Sequence, residues 1–558
     1  MTTYYLGLST SGHDPALALV DEAGAILFAE ATERYLQDKR AWGAAPDHVG
    51  HLEHALAAIG FEPSRDTLIV ASSWSRIKAD LPVSVSNALL PGSDGLWLSG
   101  LQAQAQRDAG ASLLRLGLAS EMPAVRRFDH HLCHATAACH SAPFADGLCL
   151  IIDGEGEVGA ASLFRLSEGR LKRVWRSWGP GSLGTFYAWL TGVCGFDWRA
   201  GEEWKVMGLA AFGTPDPALV DAIETMVTIV DGRPQLPSQG IIDAAVARAV
   251  PHGRGPADPI ERAANLAASG QAAFARLADR IIEACLPLGA QNFVLSGGCA
   301  LNSSYNGTLR ERFSFANVHV PSAPADDGNA IGAALLAWMQ DHPDRPVPVG
   351  RISPFLGTKV DRRAAARAAG NCGYASVRDG IGPDLLAERL AAGKIIGVMR
   401  GAAEFGPRSL GNRSILADPR SPEMKDRLNQ RVKGREPYRP FAPIVPMDRV
   451  DAWFDRAQPA PYMSFTLPWR AAQQERVPAV VHADGTGRLQ TVDPQTDPWM
   501  SGLLDAFERE TGVPIILNTS FNVMGKPIVH SVQDAMAVLA TTGLDGVLLE
   551  DVLIEKTA

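Results

Sequence analysis

Residues 148–166 read LCLIIDGEGEVGAASLFRL. An apolar run of strand length stops at Asp153, Gly154 and Glu155, turns through glycines and returns as a second apolar run, which predicts strand, acidic turn, strand. The chain opens on the same pattern: YYLGLST from Tyr4 predicts a strand, TSGHDPA a turn, LALVDEAG a returning strand, and ILFAEATERY continues the meander. Two copies of one unit, each with a turn whose backbone N–H groups can face phosphate, predict a duplicated, two-lobed α/β ATPase domain.

Ahead of the second copy lies HHLCHATAACH, residues 130–140. His130 and His134 are four apart, so on a helix they share a face and can hold one divalent metal. Unpaired histidines at this spacing are common; what distinguishes this pair is Asp153, a carboxylate delivered at a strand end nearby in sequence. Farther on, NVHVPSAPADDGNAIGAAL offers Asp326 or Asp327 as a fourth ligand. SGGCALN (296–302) predicts a strand ending on Gly297 and Gly298 and opening a helix, where a backbone approaches a nucleotide closely. In EEWKVMGLAAFG (202–213), Lys205 and Gly208 suit a nucleotide site or a surface charge cluster equally well. Asp258, Pro259 and Glu261 predict a capped helix start, with the helix running to about Leu288.

The 558 residues, 46% hydrophobic and 20% charged, allow two to four globular domains. A net charge of -9 argues against a dedicated nucleic-acid binder. Seven cysteines form no CxxC pair, which excludes zinc ribbons and thioredoxin-like chemistry and predicts reduced, buried thiols. The N-terminus has no signal-peptide pattern, so a cytoplasmic protein is expected. Residues 177–196 are uncharged enough to resemble a membrane span, but five glycines and a proline favour a loop running into a helix. Residues 80–125 mix turn signals with an amphipathic helical pattern and carry no readable chemistry.

Pro343, Pro346, Pro348 and Pro354 mark a linker over about 342–358, dividing the chain into domains 1–350 and 351–558. Beyond it, KIIGVMRGAAEFGPRSLGNRSIL (394–416) predicts strand, turn and basic loop. In RVKGREPYRPFAP (431–443) the basic residues are interleaved with Gly, Pro and Phe in non-helical sequence, which favours an enclosed anion pocket. PAVVHADGTGRLQTV (478–492) predicts a strand–turn–strand bearing His482, Asp484 and Arg488. GVPIILNTSFNVMGKPIV (512–529) predicts a strand with Asn518, Ser520 and Asn522 on one face.

Together HHLCHA, IIDGEGE, KVMGLAAFG, SGGCALN, DDGNAIGAA, EFGPRSLGNRSIL, VKGREPYRPFAP, HADGTGRLQTV and NTSFN resemble the NodU/CmcH-type O-carbamoyltransferases of nodulation-factor and antibiotic biosynthesis. The resemblance implies an N-terminal actin-like domain, like the ATPase that transfers threonylcarbamoyl to tRNA, joined to a C-terminal YrdC-like α/β domain. The C-terminal half would convert carbamoyl phosphate and ATP into carbamoyl adenylate; the N-terminal half would pass the carbamoyl group to a hydroxyl of a small natural product.

Carried over by motif, the metal ligands are His130, His134, Asp153 and Asp326, the aspartate two before the glycine. The metal would be Fe(II), with Mn or Zn as alternatives, and Mg would accompany ATP. His13 would be the base or orienting group for the acceptor hydroxyl, with Lys433 and Arg408 as catalytic partners in the other half. Lys205, Gly208, Gly297, Gly298 and Asn302 would hold nucleotide. Arg408, Lys433, Arg488, Asn518 and Ser520 would bind carbamoyl phosphate and the adenylate. Nucleic acid and membrane are not expected partners, and a monomer or homodimer is.

Three rival readings carry different signatures. A tRNA threonylcarbamoyl-type transferase calls for a basic surface, which the net charge opposes. A hydrogenase-maturation carbamoyltransferase calls for zinc-finger CxxC pairs, which are missing. A non-catalytic actin-like nucleotide sensor gives no reason for an anion pocket.

Overall fold

Strands β1 (Thr3–Leu8), β2 (Ala16–Val20) and β3 (Ile26–Ala31) form an antiparallel meander, and β4 (Thr67–Ser72) and β5 (Val125–Arg127) extend it in parallel from β1, in the order β3-β2-β1-β4-β5. The computed structural model describes residues 2–75, 92–346, 350, 353–371, 373 and 375–557. Residues 80–91 of the segment without readable chemistry, part of the linker, and Cys372 lie outside the described residues.

A second sheet repeats this plan. Its meander is β6 (Gly147–Ile152), β7 (Ala161–Ser167) and β8 (Arg170–Arg176). After a short ribbon of β9 (Thr228–Val230) and β10 (Arg233–Gln235), β11 (Asn292–Ser296) and β12 (Asn317–His319) add in parallel from β6, giving β12-β11-β6-β7-β8. Every residue of β2 and of β6 is buried, as a strand covered on both faces requires. The meander expected through Tyr35 ends at Ala31; Thr32–Leu36 is helical, with Glu33 favourably placed in its first turn.

The helix Asn329–Asp341 packs on β1 and on the helix His130–Ser141. Glycines make both approaches possible, because a Cβ at Gly7 would overlap the Ala330 carbonyl and one at Gly332 the Cys133 carbonyl.

Several expected boundaries move. Asp258 accepts from the Gly255 amide (2.9 Å) instead of capping a helix; the α-helix spans Ala264–Glu283, and Pro287 confines the following turn to a 3-10 conformation. After β11 the chain enters a 3-10 turn, Gly298–Leu301, and not a long helix. Residues 177–196 form a loop and the helix Leu183–Val193, capped by Ser182 accepting from the Thr185 amide. Among the described residues no helix is long and apolar enough to cross a membrane.

The chain divides into two compact units. The first, containing both sheets, comprises Met1–Glu33, Arg40–Asn302 and Leu309–Ile352; the second comprises Arg34–Lys39, Ser303–Thr308 and Ser353–Ala558. In the second unit β13 (Phe355–Lys359) pairs with β16 (Ala402–Glu404). Its main sheet takes in β14 (Ala375–Arg378), β15 (Ile396–Met399), β17 (Arg413–Ala417), β18 (Ala442–Pro446), β19 (Phe465–Pro468), β20 (Thr486–Val492), β21 (Ile516–Ser520), β22 (Gly546–Leu549) and β23 (Val552–Lys556). Their order is β14-β23-β22-β15-β17-β21-β18-β20-β19. The helices Pro383–Ala391 and Pro498–Thr511 bury Leu386, Leu390, Leu503 and Phe507 against Ile396, Val398, Leu416 and Ile444 of this sheet.

Three readings in this unit change. Leu428–Lys433 closes a helical segment with a π turn, ended by left-handed Gly434, so Arg431 and Lys433 are helical and the basic stretch is irregular only from Arg435. Pro478–Val480 is a 3-10 turn in place of a strand. Asn522 lies past the end of β21.

Candidate active site

The first unit converges on four buried side chains. Asp129 caps the helix His130–Ser141 by accepting from the Leu132 amide, and Glu157 accepts from the His130 amide at 2.9 Å, which sets where the helix begins. His130 and His134 lie one turn apart, and Trp74 stacks on the His130 ring at 4.6 Å. Asp153 sits at the end of β6; its Oδ1 accepts from the Gly154 and Gly298 amides (2.8 and 2.9 Å), which leaves Oδ2 at 3.2 Å from His130 Nε2 and 3.1 Å from His134 Nε2. Asp326, in the turn before Asn329, places Oδ1 at 3.6 and 3.4 Å from the same two nitrogens.

These four ligand atoms lie within 4.8 Å of one another. Ligands about 2.0–2.2 Å from one ion stand roughly 3–3.6 Å apart when adjacent, so the two-nitrogen, two-oxygen set fits a divalent metal. Electrostatics agrees. Burial opposes protonation of His130 and His134, yet the aspartates beside them hold both above the ordinary imidazole range, the mark of a site that demands positive charge. Asp327 is not part of the set: its Oδ1 accepts from the Gly328 amide, and burial followed by the charge of Asp14 pushes its carboxyl up to about 7.

His13 borders this centre, with Nε2 3.6 Å from Asp326 Oδ2 and Nδ1 2.9 Å from Asp14 Oδ2. Arg40 closes the group, donating to Asp14 at 2.8 Å; burial alone would raise the Asp14 carboxyl, but Arg40 and His13 hold it down to about 2. Asp14, Arg40 and Ala41 all have positive φ (48°, 59° and 41°), a strained backbone of the kind found around working groups. Trp42 lies 5.1 Å from the His13 ring and 4.7 Å from Trp97, itself on the helix Gly92–Asp108. Sequence reasoning missed Asp14, Arg40 and this aromatic wall. Asp14 had a signal in its place beside His13, whereas Arg40 and Trp97 come from distant segments.

The expected nucleotide residues are distributed around this unit. Asn302 forms a reciprocal amide pair with Gln271 (3.0 Å each way), and Tyr187 donates to Gln271. Lys205, on the helix Glu203–Ala210 with Gly208, pairs with Glu202 at 2.6 Å and lies over Phe196. Gly297 takes φ +89° beneath the Ile152 carbonyl, and the Gly298 amide is given to Asp153.

The second unit holds a cationic pocket. Glu404 ties its loop, its Oε1 accepting from the amides of Leu410, Asn412 and Arg413 (2.7–3.0 Å), so that Arg408 is carried on a fixed turn. Asn518 braces the same turn: buried on β21, it donates to the Ser409 carbonyl and to Gln490. Lys433 is buried and donates to Ser520 O, Ser520 Oγ, Asn522 O and Asn522 Oδ1 (2.6–3.2 Å). Burial, then Arg435 and Arg439, push the Lys433 ammonium well below its ordinary range; burial, then Arg408, Arg435 and Arg439, do the same to Arg488. Burial brings Arg408 down to about 10. Among the described residues neither the Arg408 nor the Arg488 side chain has an ion-pair or hydrogen-bond partner. Arg439 pairs with Glu436 at 3.4 Å, and the remaining concentration of positive charge suits an anion. Arg435 and Arg439 come from the stretch 431–443 expected to line an anion pocket, and Asn522 from the strand end expected to present it with Asn518 and Ser520.

Residues 4–335 match the family model described as Carbamoyltransferase N-terminus, and residues 387–556 match Carbamoyltransferase C-terminus. The chain is therefore a transferase of mixed α/β fold. It belongs to the carbamoyltransferase family. Nodulation protein U of Bradyrhizobium diazoefficiens is 30% identical over 98% of this chain and 96% of its own length. Nodulation protein NolNO of Sinorhizobium fredii is 35% identical over 85% of this chain and 69% of its own, and an uncharacterized Synechocystis protein, sll1178, is 31% identical over 100% and 97%. Among solved structures, full-length HypF in its phosphate- and nucleotide-bound form is 13% identical, covers 60% of this chain and 55% of its own, and has a TM-score of 0.37, too low to carry an argument.

Proposed function

We propose that this protein is an ATP-dependent O-carbamoyltransferase that uses carbamoyl phosphate and passes its carbamoyl group, through carbamoyl adenylate, to a hydroxyl of a small-molecule natural product. The observation that carries this beyond the family is the cluster of Arg408, Arg435, Arg439 and Arg488, whose charges repel one another; Arg439 pairs with Glu436 at 3.4 Å, whereas Arg408 and Arg488 have no ion pair among the described residues. A dianionic donor relieves that repulsion on binding. Water cleaves carbamoyl phosphate to carbamate and inorganic phosphate, and a carbamate oxygen then attacks the α-phosphorus of ATP, forming carbamoyl adenylate and expelling pyrophosphate. Guanidinium forks offset the charge that builds on both leaving groups.

Transfer belongs to the first, actin-like unit; adenylate formation belongs to the second, YrdC-like one. His130, His134, Asp153 and Asp326 would hold the divalent metal, Fe(II) in preference to Mn or Zn, which supplies a Lewis acid toward a carbonyl or phosphate oxygen. His13 takes the proton of the acceptor hydroxyl, and Asp14 orients the imidazole. Lys205, Gly208, Gly297, Gly298 and Asn302 serve nucleotide, with Mg as its counter-ion, in a cytoplasmic monomer or homodimer.

Incubation of the full-length protein with labelled carbamoyl phosphate, ATP and a panel of natural-product alcohols tests the reading. Carbamoyl phosphate-dependent pyrophosphate release is expected, with label in one alcohol. Absence of pyrophosphate release with any nucleotide triphosphate would overturn it.

A further inference from the structure

Arg34 opens the segment Arg34–Lys39 of the second unit and is buried there. Its guanidinium donates from Nη1 to the Glu404 carbonyl at 2.5 Å and from Nη2 to the Gly406 carbonyl at 2.6 Å. Among the described residues it forms no ion pair. A buried guanidinium without a carboxylate contributes little to stability. As a rigid fork, however, it suits two backbone carbonyls that must be kept at a fixed separation.

Those two carbonyls stand on the limb that enters the Arg408 turn, where the Phe405 amide also donates to the Pro354 carbonyl (2.7 Å) and left-handed Gly406 (φ +116°) leads into Pro407. The limb that leaves the turn is tied separately: the Glu404 carboxylate accepts from the Leu410, Asn412 and Arg413 amides, while Asn518 and Gln490 donate to the Ser409 and Leu410 carbonyls. Arg408 stands between two anchored limbs, and Arg34 anchors the first. The same segment meets the pocket's elements twice more. Gln37 donates to the Ile528 carbonyl at 3.0 Å, on the stretch that follows Asn522, and the charge of Lys39 joins those of Arg435 and Arg439 in pushing down the Lys433 ammonium. We propose that Arg34 is a positioning residue of the donor site, its fork fixing the entry of the Arg408 turn so that Arg408 is held where it grips the dianion. The inference rests on the carbamoyl phosphate reading of this pocket. It makes the N-terminal segment part of the donor site.

The experiment measures, by calorimetry on the full-length protein, the affinity for phosphonoacetamide, in which a methylene replaces the bridging oxygen of carbamoyl phosphate. Arg34→Ala is expected to weaken binding about tenfold, as when a charged hydrogen-bond donor is misplaced. Arg34→Lys keeps the charge but lacks the fork, so a several-fold loss is expected. In an Arg408→Ala background Arg34→Ala is expected to cost less than about twofold more, because Arg34 acts through that side chain, whereas a general loosening of the unit would weaken binding there too. Affinity equal to wild type in Arg34→Ala, or a tenfold loss that persists in the Arg408→Ala background, would overturn the proposal; should Arg34→Ala not fold, Arg34→Lys decides, and binding as tight as wild type overturns it. Wild-type protein that does not bind the analogue would overturn the donor reading itself.

Discussion

Gly332 rests against the main-chain carbonyl of Cys133 with no space between them for a Cβ. Cys133 lies between the two ligand histidines, and Gly332 lies six residues after Asp326, so this contact sets the spacing between the helix that carries His130 and His134 and the helix that Asp326 precedes. Gly332→Ala is expected to destabilise the protein by about 1–3 kcal/mol, the usual cost of overpacking, and to lower bound metal below one per chain. Urea unfolding and metal analysis of the same preparation check this; a variant as stable and as metal-replete as wild type would show that the helices can separate freely.

Removing a ligand should empty the centre. His134→Ala and Asp153→Asn each leave an incomplete set, and metal content is expected to fall from about one per chain to near zero while the fold persists. Full metal with no transfer would mean that the ligand set extends beyond these four residues.

Donor activation and transfer should separate by variant. Lys433→Ala withdraws the ammonium that holds Ser520 and Asn522, and Arg408→Ala withdraws an unpartnered cation. Both are expected to abolish carbamoyl phosphate-dependent pyrophosphate release with metal content normal. His13→Ala is expected to release pyrophosphate and yield no carbamoylated alcohol. If His13→Ala stops pyrophosphate release as completely as Lys433→Ala does, the two-step mechanism fails.

His482 gives a pH signature in the second unit. Burial, opposed by the Asp484 carboxylate and aided by Arg488 and Lys425, brings its imidazole down to about 4, below the unfolded value near 6.5. The folded state thus binds fewer protons: the stabilisation is whole above pH 6.5 and is lost as pH falls toward 4. Between pH 7.5 and 5 this amounts to up to about 2 kcal/mol. Denaturant melts of His482→Gln at the two pH values should show a smaller difference than wild type; an equal difference would assign the effect to other groups.

Trp97 should bear on the acceptor alone. Its ring is 39% exposed and packs on Trp42 beside His13, so Trp97→Ala is expected to raise the acceptor KM several-fold and leave pyrophosphate release unchanged. An unchanged acceptor KM would remove this wall from the acceptor site.

The strands were legible because apolar runs such as LCLIIDG end abruptly at glycine and aspartate, and the four metal-site residues were legible because His130 opens a helix with His134 one turn on, Asp153 follows the end of β6, and Asp326 opens the turn before Asn329. Roles set by distant partners were not. Arg40 reaches Asp14 across 26 residues only because its backbone takes a strained left-handed turn. Asn518 looked like a ligand group, yet its amide hydrogens go to Ser409 and Gln490, 109 and 28 residues away. Lys433 belongs to a helical turn that its glycine- and proline-rich surroundings concealed.

Arg34–Lys39 and Ser303–Thr308 belong to the second unit although the first surrounds them in sequence. The ribosome therefore releases residues 34–39 more than 300 residues before Ser353, where the main body of their unit begins. At about 5–20 residues per second that is a wait of some 15–60 s. During it the nascent first unit can gather its own sheets but must leave those two segments unclaimed, so the order of synthesis delays completion of both units until the C-terminal part emerges.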